Sequence, residues 1–530
     1  MTALDYIWLG VLAVFQGPEA FAIFGVSISI TILMVFLGFL MGIAVGATPG
    51  LAGPFAMAIS LPILISVFGF TPDALLPVMG FLIGIMKGAT IGGAVPAILF
   101  NTPGTPDAFM TTLDGYPMAQ RGQAKKALRV AHLSSASGDT FSDLVLFVCA
   151  PFLAIVVERY LDLPEKTALL ILSLSFIAAV IGGSPGKGLI SIGLGLMAVY
   201  VGTGEDFYPR LSFGSDELAR GFPITTAVLG VLIIGAVFKG LDELWRGVGP
   251  PGGSQSTKET GDQRLRWPEI KRLLPYIGRS ALIGTGIGAL PGVGSTLAAT
   301  LGYSLGRGRH LRSKGPDDAQ FGQGVPEGIA ATEAANSSVS GANLIPVLSL
   351  GIPGNAAAVF LILAAESIGG FNPGPTVFRF TQDVANPELV VVFGLFTCMT
   401  LANIFNWTIG GVFMRSMGFM IRVPKQLLLP GVLLLTLSAI YVQETRIEAI
   451  WFTLGFGVLG YVMRLYAISP LPFVVAFILG RSLEETARQA FAATGNDPFF
   501  LFNSPIAATF ILLSVGVILL SGRKPKRSPP

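Results

Sequence analysis

Charge is scarce in this chain: Asp, Glu, Lys and Arg make up 12% of 530 residues, about half the share of an average soluble domain. That balance excludes an ordinary soluble enzyme. Histidine and cysteine are almost missing, at two residues each. His132 and His310 fall in what read as basic loop regions, so neither a nucleophilic triad nor a His-rich metal site can be assembled. Cys149 and Cys398 lie in apolar stretches and read as small buried hydrophobes, not as a disulfide. No GxxxxGK[ST] sequence occurs, so ATP is not expected to drive this chain directly. No Lys or Arg precedes Lys87, and the start lacks the basic region of a cleavable secretory signal. No catalytic residue, cofactor or resident metal is expected, and no nucleic-acid partner.

What is abundant is apolar surface: 52% hydrophobic residues and a mean hydropathy of +0.70. Phe21 to Ala47 and Leu389 to Met414 carry no charge and exceed the about 20 residues a helix needs to cross a bilayer. Further candidates are 142–157, 167–183, 189–201, 222–238, 281–290, 342–365, 426–442, 449–463, 471–480 and 499–520. Glycine (67) and proline (36) interrupt many of these runs. Inside a membrane such breaks persist only where protein or a watery cavity satisfies the freed backbone groups. The expected fold is therefore an all-α polytopic membrane protein with internal broken helices or re-entrant hairpins.

One polar stretch, 245–279, reads as a cytoplasmic linker followed by a short basic helix. It separates a first half, 1–244, from a second, 280–522, and a basic cytoplasmic tail, 523–530, ends the chain. Each half carries the same two motifs in the same order. GATPGLAG at 46–53 precedes PAILFNTPG at 96–104, and GALPGVG at 288–294 precedes PVLSLGIPG at 346–354. The offsets are 242 residues (Pro49 to Pro291) and 250 residues (Pro103 to Pro353), the mark of an internal duplication. Basic residues collect on cytoplasmic loops. In the first copy they follow the second motif (Arg121, Lys125, Lys126, Arg129); in the second they lie between the motifs (Arg307, Arg309, Arg312, Lys314). Corresponding loops thus face opposite sides, which predicts two inverted-topology repeats, the architecture of alternating-access transporters. The N-terminus is then expected outside.

A Pro-Gly break ends one helix and starts another, leaving N–H groups and a positive dipole end at membrane depth, where anions bind without a buried lysine. The candidate substrate-binding residues are Thr48, Pro49, Gly50, Asn101, Thr102, Pro103, Gly104 and Thr105 in the first copy. In the second they are Pro291, Gly292, Ser295, Gly351, Pro353, Gly354 and Asn355, with Thr296 beside them. A carboxylate is the natural ligand. Intramembrane carboxylates often mark ion pathways, so Glu333, Asn336 and Ser337 are candidates for coupling a cation. Glu327 reads equally as a second such group or as a surface carboxylate beside Arg312 or Lys314. Lys87 and Asp107 either pair with each other or supply a counter-charge to the substrate.

The motifs GATPGLAG, PAILFNTPGTPDAFMTTLDGYPMAQRGQAKKAL, FGQGVPEGIAATEAANSSVSGANLIPVLSLGIPGNAA and FNPGP resemble the large membrane subunit of the tripartite tricarboxylate transporters, the TctA family. Weaker similarity runs through RLSFGSDELARG and FILGRSLEETARQAF, so that the likeness spans about Leu9 to Leu512. The resemblance implies a multi-pass permease of the bacterial cytoplasmic (inner) membrane. It further implies a small four-helix membrane subunit and a periplasmic solute-binding protein as partners, and carboxylate uptake driven by Na+ or H+. The family's hairpin residues carry over onto Asn101 to Thr105 and Gly351 to Asn355, its acidic-amide stretch onto Glu333 to Ser338. Three positions depart from its pattern: Lys87 where Tyr is usual, Asp107 where a small residue is usual, and Asn336-Ser337 in place of Asn-Asn. The competing functions are an anion channel, a carboxylate transporter without a binding protein, and a membrane-embedded enzyme.

Overall fold

The computed structural model describes residues 2–23, 26–48, 51–181, 184–203, 208–247, 263–291, 293–313, 319–381, 384–417 and 425–522. Pro49, Gly50, Gly292, Lys314, residues 248–262 of the linker and the basic tail lie outside the described residues. In chain order the helices are α1 (Ala3–Phe15), α2 (Ile30–Gly46), α3 (Gly53–Phe68), α4 (Leu75–Gly92), α5 (Ala94–Phe100), α6 (Phe109–Gln120), α7 (Ala124–Tyr160), α8 (Leu163–Ile181) and α9 (Pro185–Val199). There follow α10 (Ile224–Trp245), α11 (Trp267–Gly288), α12 (Gly294–Ser313), α13 (Pro326–Ala342), α14 (Leu344–Leu350), α15 (Ala356–Ile368) and α16 (Pro387–Ser416). The last are α17 (Lys425–Glu444), α18 (Ile447–Leu465), α19 (Leu471–Ala493) and α20 (Pro505–Gly522). Among the described residues, six helical stretches are long and apolar enough to cross a membrane: Pro72–Phe100, α7, Leu163–Val180, α10, α16 and α18.

The uncharged run from Phe21 to Ala47 is not one helix. Glu19–Ile23 and Val26–Ser29 pair as an antiparallel ribbon, and Ser29 caps α2 by accepting the Ile32 N–H at 3.3 Å. Gly17-Pro18 and the β-branched alternation of Val26, Ser27 and Ile28 favour the ribbon over an early helical turn. The basic helix expected after the linker exists, but it is the first part of α11 and runs unbroken into the apolar segment.

The chain packs as two units. The first comprises Met1–Ala154, Val248–Leu290 and Gly294–Leu428; the second comprises Ile155–Gly247, Pro291–Val293 and Leu429–Pro530. Each sequence half therefore contributes its opening to the first unit and its close to the second.

In the first unit, α2 lies against α4 and α11 against α13. The α2–α4 contact is made by glycines every fourth residue, Gly38, Gly42 and Gly46 facing Gly84, Gly88 and Gly92. A Cβ at any of them would overlap the opposing backbone. Residues at i and i+4 share a helix face, so these glycines form a flat stripe that lets two backbones touch. Gly284 and Gly288 of α11 meet Ala335 and Val339 of α13 in the same way. A core of Phe39, Ile43, Ile91, Met118, Tyr276, Tyr303, Phe321, Ile329 and Met414 joins these helices to α6, α7, α12 and α16.

In the second unit, α8 packs on α19 and α20, α9 on α19, and α10 on α18. A π-helical turn at Gly230–Ile234 interrupts α10. There the Arg464 guanidinium donates to the Val231 and Leu232 carbonyls, each at 2.8 Å. Arg210 and Glu484, one from each of the two weaker motifs, form a two-pronged ion pair at 2.9 and 3.3 Å.

Candidate transport site

The second motif of each half builds its hairpin in the same way. A seven-residue helix with proline at its third position, Pro96 in α5 and Pro346 in α14, ends in a left-handed residue. That residue is Asn101 (φ 54°) in one copy and Gly351 (φ 72°) in the other. The next N–H then turns back to the proline carbonyl, Thr102 to Pro96 and Ile352 to Pro346, both at 3.2 Å. This is the Schellman way of closing a helix, and it needs Gly or Asn at the left-handed position.

Beyond each hairpin the chain reaches the other copy. Pro106–Ala108 packs against α12, and α15 packs against α3. Asp107 accepts a hydrogen bond from Thr296 at 2.5 Å. The two breaks of the first copy touch as well, since a Cβ on Gly104 would collide with the Gly46 carbonyl and crowd Gly93.

Asn101 is exposed, Thr102 and Pro103 are half-buried, and Gly104 and Thr105 are buried. Pro291, Ser295, Gly351 and Asn355 are half-buried, whereas Thr48, Pro353 and Gly354 are buried. Three of these side chains already have local partners, the first being Thr102, whose Oγ1 donates to the Phe100 carbonyl at 3.2 Å. Thr48 Oγ1 donates to the Ala44 carbonyl at 3.0 Å. Asn355 caps α15, its Oδ1 accepting the Ala358 N–H at 2.9 Å.

Glu333 is fully buried on α13. It accepts hydrogen bonds from Thr111 of α6 and, at 2.8 Å, from Ser135 of α7. Asn336 Nδ2 and Ser337 Oγ, on the next turn of α13, are buried with no hydrogen-bond partner among the described residues. Asn343 Nδ2, at the α13–α14 joint, is in the same state. Unpaired buried polar atoms are costly, which singles out this face of α13. Glu327 is also buried, at the start of α13.

The structure does not pair Lys87 with Asp107. Lys87 is fully buried on α4 and its ammonium lies 2.6 Å from Asp139 and 2.7 Å from Asp143, both on α7. Two buried carboxylates outcompete one half-buried carboxylate whose partner is Thr296. Neither histidine is in a loop. His132 is on α7, its Nε2 3.0 Å from the Asn406 carbonyl of α16. His310 is buried in α12 against Phe321.

Asp114 on α6 escaped the sequence reading. Its Oδ1 accepts N–H groups from Gly322, Gly324 and Val325 at 2.8–3.0 Å, and its Oδ2 accepts the Tyr303 hydroxyl at 3.0 Å. Burial raises its carboxyl above the usual range, and these hydrogen bonds draw it back. The FGQGVPEG motif is thereby explained. Gly322 and Gly324 have φ of 90° and 83°, and Gly328 leaves room for the carboxylate. Asp139, Asp143 and Asn403 were missed too. Two acids four residues apart, immediately before the apolar part of α7, are the sequence signal that points to Asp139 and Asp143.

Apolar helices, several broken by proline and glycine and several long enough to span a bilayer, define a multi-pass membrane protein. A family model described as "Tripartite tricarboxylate transporter TctA family" matches residues 32–475, and the chain belongs to that family. It is 31% identical over 504 residues to the "Uncharacterized 52.8 kDa protein in TAR-I ttuC' 3'region" of Agrobacterium vitis, covering 93% of both chains. It is 30% identical over 242 residues to the "Uncharacterized protein in TAR-II ttuC' 3'region" of the same organism, covering 45% of this chain and 93% of the relative. No solved structure matches.

Proposed function

We propose that this chain is the large permease subunit of a tripartite secondary transporter. In this reading it imports an organic di- or tricarboxylate across the bacterial cytoplasmic membrane with Na+ or H+, taking substrate from a periplasmic binding protein and working with a small four-helix membrane subunit. The observation that carries the mechanism is the pair of similarly built hairpins, each reaching to the first break of the other copy.

Loop contacts support an inverted arrangement of the copies. Arg121, after the second motif of copy one, donates to the Gln323 carbonyl between the motifs of copy two. At the other end, Gly370, after the second motif of copy two, lies beside Pro72 between the motifs of copy one, with a built Cβ 3.6 Å from that proline. Corresponding loops are thus grouped with their non-corresponding counterparts, as opposite orientations require. Starts of α3, α6, α12 and α15 supply N–H donors for a carboxylate, and α13 supplies Glu333, Asn336 and Ser337 for the cation.

The test uses the complete transport system in proteoliposomes. Asn101→Ala is expected to lower apparent substrate affinity, and Asn355→Asp, which keeps the helix cap while adding a negative charge, is expected to abolish uptake. Unchanged uptake kinetics in both would remove the hairpins from the site. Glu333→Gln is expected to change the cation dependence more than the substrate preference. Uptake that continues undiminished after both ion gradients collapse would favour the channel reading instead.

A further inference from the structure

The charges around Lys87 do not sum to zero. One ammonium stands between two carboxylates, with side-chain exposures of 0%, 3% and 2% for Lys87, Asp139 and Asp143. Its Nζ contacts Asp139 Oδ1 and both oxygens of Asp143. Two neutral donors complete the cluster: Ser340 Oγ of α13 on Asp139 Oδ1, and Asn403 Nδ2 of α16 on Asp143 Oδ2 at 2.7 Å. With all three groups ionised the triad carries a net charge of −1. An uncompensated buried charge is strongly disfavoured, whereas a neutral, fully hydrogen-bonded cluster is not.

Among the described residues of the helices packed against α4, the one Lys or Arg is Arg415 of α16, twelve residues beyond Asn403. On the elements packed against α4, α2 and α3 carry no titratable side chain. Glu327 and Glu333 stand on α13, Glu366 on α15, and Glu388, Cys398 and Arg415 on α16. Among the described residues, the hydrogen-bond and ion-pair partners of the triad's side chains are its own three members, Ser340 and Asn403. On α7 itself the nearest are Cys149, six residues from Asp143, and His132, seven residues from Asp139 and bonded to Asn406.

A second observation concerns Asn403, which is 7% exposed. Its Nδ2 is on Asp143, and its Oδ1 has no hydrogen-bond partner among the described residues. Turning the amide about its terminal bond exchanges the two atoms. The orphaned oxygen then faces Asp143 Oδ2, where an acceptor is needed only if that carboxyl carries a proton. A hydrogen bond from the neutral acid to the amide favours the protonated form, as the present bond favours the ionised one.

We propose that Lys87, Asp139 and Asp143 form a proton-binding centre that takes up one H+ on the aspartate pair, with Asn403 as the partner that follows the change. The step is the addition of H+ to a carboxylate oxygen, Asp143 Oδ2 in the geometry above. No bond breaks, and the triad passes from −1 to neutral. This proposal rests on the transport reading for its purpose: it makes the proton a coupling ion, held about 10 Å along α13 from Glu333.

The experiment has an arm that needs neither substrate nor partner proteins. The purified chain in lipid nanodiscs is titrated with pH by infrared difference spectroscopy, which sees the C=O stretch that only a protonated carboxyl possesses. A titrating carboxyl band is expected that Asp139→Asn or Asp143→Asn removes and Glu333→Gln leaves in place. Asn403→Leu, which keeps all the charges, is expected to shift the frequency of that band. Lys87→Met is expected to retain the band at an alkaline pH where the parent has lost it. A spectrum with no titrating band dependent on Asp139 or Asp143 would overturn the centre. So would a band indifferent to Asn403→Leu and Lys87→Met. In proteoliposomes carrying the complete system, an imposed pH gradient is expected to drive uptake by the parent and not by Asp143→Asn, while substrate exchange at equilibrium persists. PH-driven uptake that survives in Asp143→Asn would also overturn the proposal. Failure of the hairpin variants to alter uptake leaves the infrared result standing, so the two readings fail separately.

Discussion

At the scale of single residues, several glycines act by what they leave room for. Gly328 sits against the Asp114 carboxylate, and any β-carbon there must displace it. Gly328→Val is expected to destabilise the protein by about 1–3 kcal/mol through overpacking, read as a lower melting temperature in detergent. Gly286→Val is the comparison, because nothing lies within 4 Å of its built Cβ. Asp114→Asn keeps the size but removes the charged acceptor of three N–H groups and the Tyr303 hydroxyl, and about 1.5–3 kcal/mol is the expected loss. An unchanged melting temperature in that variant would show the carboxylate to be dispensable. The sequence made the FGQGVPEG glycines visible but not their cause. The carboxylate that they wrap stands more than 200 residues earlier in the chain.

Helices and their pairings were more legible. Hydropathy located α8, α16 and α18 within a few residues, because an apolar run that spans a bilayer has a length dictated by bilayer thickness. By contrast, α7 starts 18 residues before the apolar run 142–157, in a polar stretch that hydropathy passes over. Where the reading departed, local chemistry was responsible. The ribbon at Glu19–Ser29 consumed the start of an apolar run, and the basic helix after the linker continued into α11. The glycine stripe between α2 and α4 carries its own prediction. Gly84→Leu would force the two backbones apart, and the folded yield in membranes is expected to fall sharply. Gly193→Leu, with nothing within 4 Å of its built Cβ, is expected to be accepted. Equal yields would mean that the α2–α4 contact is not needed for assembly.

For the whole molecule, the expectation to examine is the opposite orientation of the two copies. Single cysteines placed at Asp73 and at Gly370, in a chain with Cys149 and Cys398 replaced, are expected to react with a membrane-impermeant thiol reagent from the same side. Cysteines at Arg121 and at Gln320 are expected to react only from the other. Labelling of all four from one side would contradict inverted repeats and, with them, the alternating-access reading.

The sequence by itself determined that the chain is built of apolar membrane helices, that two Pro-Gly motifs recur in order, where its helices break and which family it resembles. These properties are local: hydropathy, proline and glycine spacing, and loop charge are written residue by residue. Only the tertiary structure decided which groups meet. Along the chain Lys87 stands nearer to Asp107 than to Asp139 or Asp143, 52 and 56 residues on, and its pairing with the distant two depends on α7 meeting α4 at Lys87. Charges interact through space and far more strongly in a dry interior than in water. For that reason the ionic centre could be named only after the helices were packed around it.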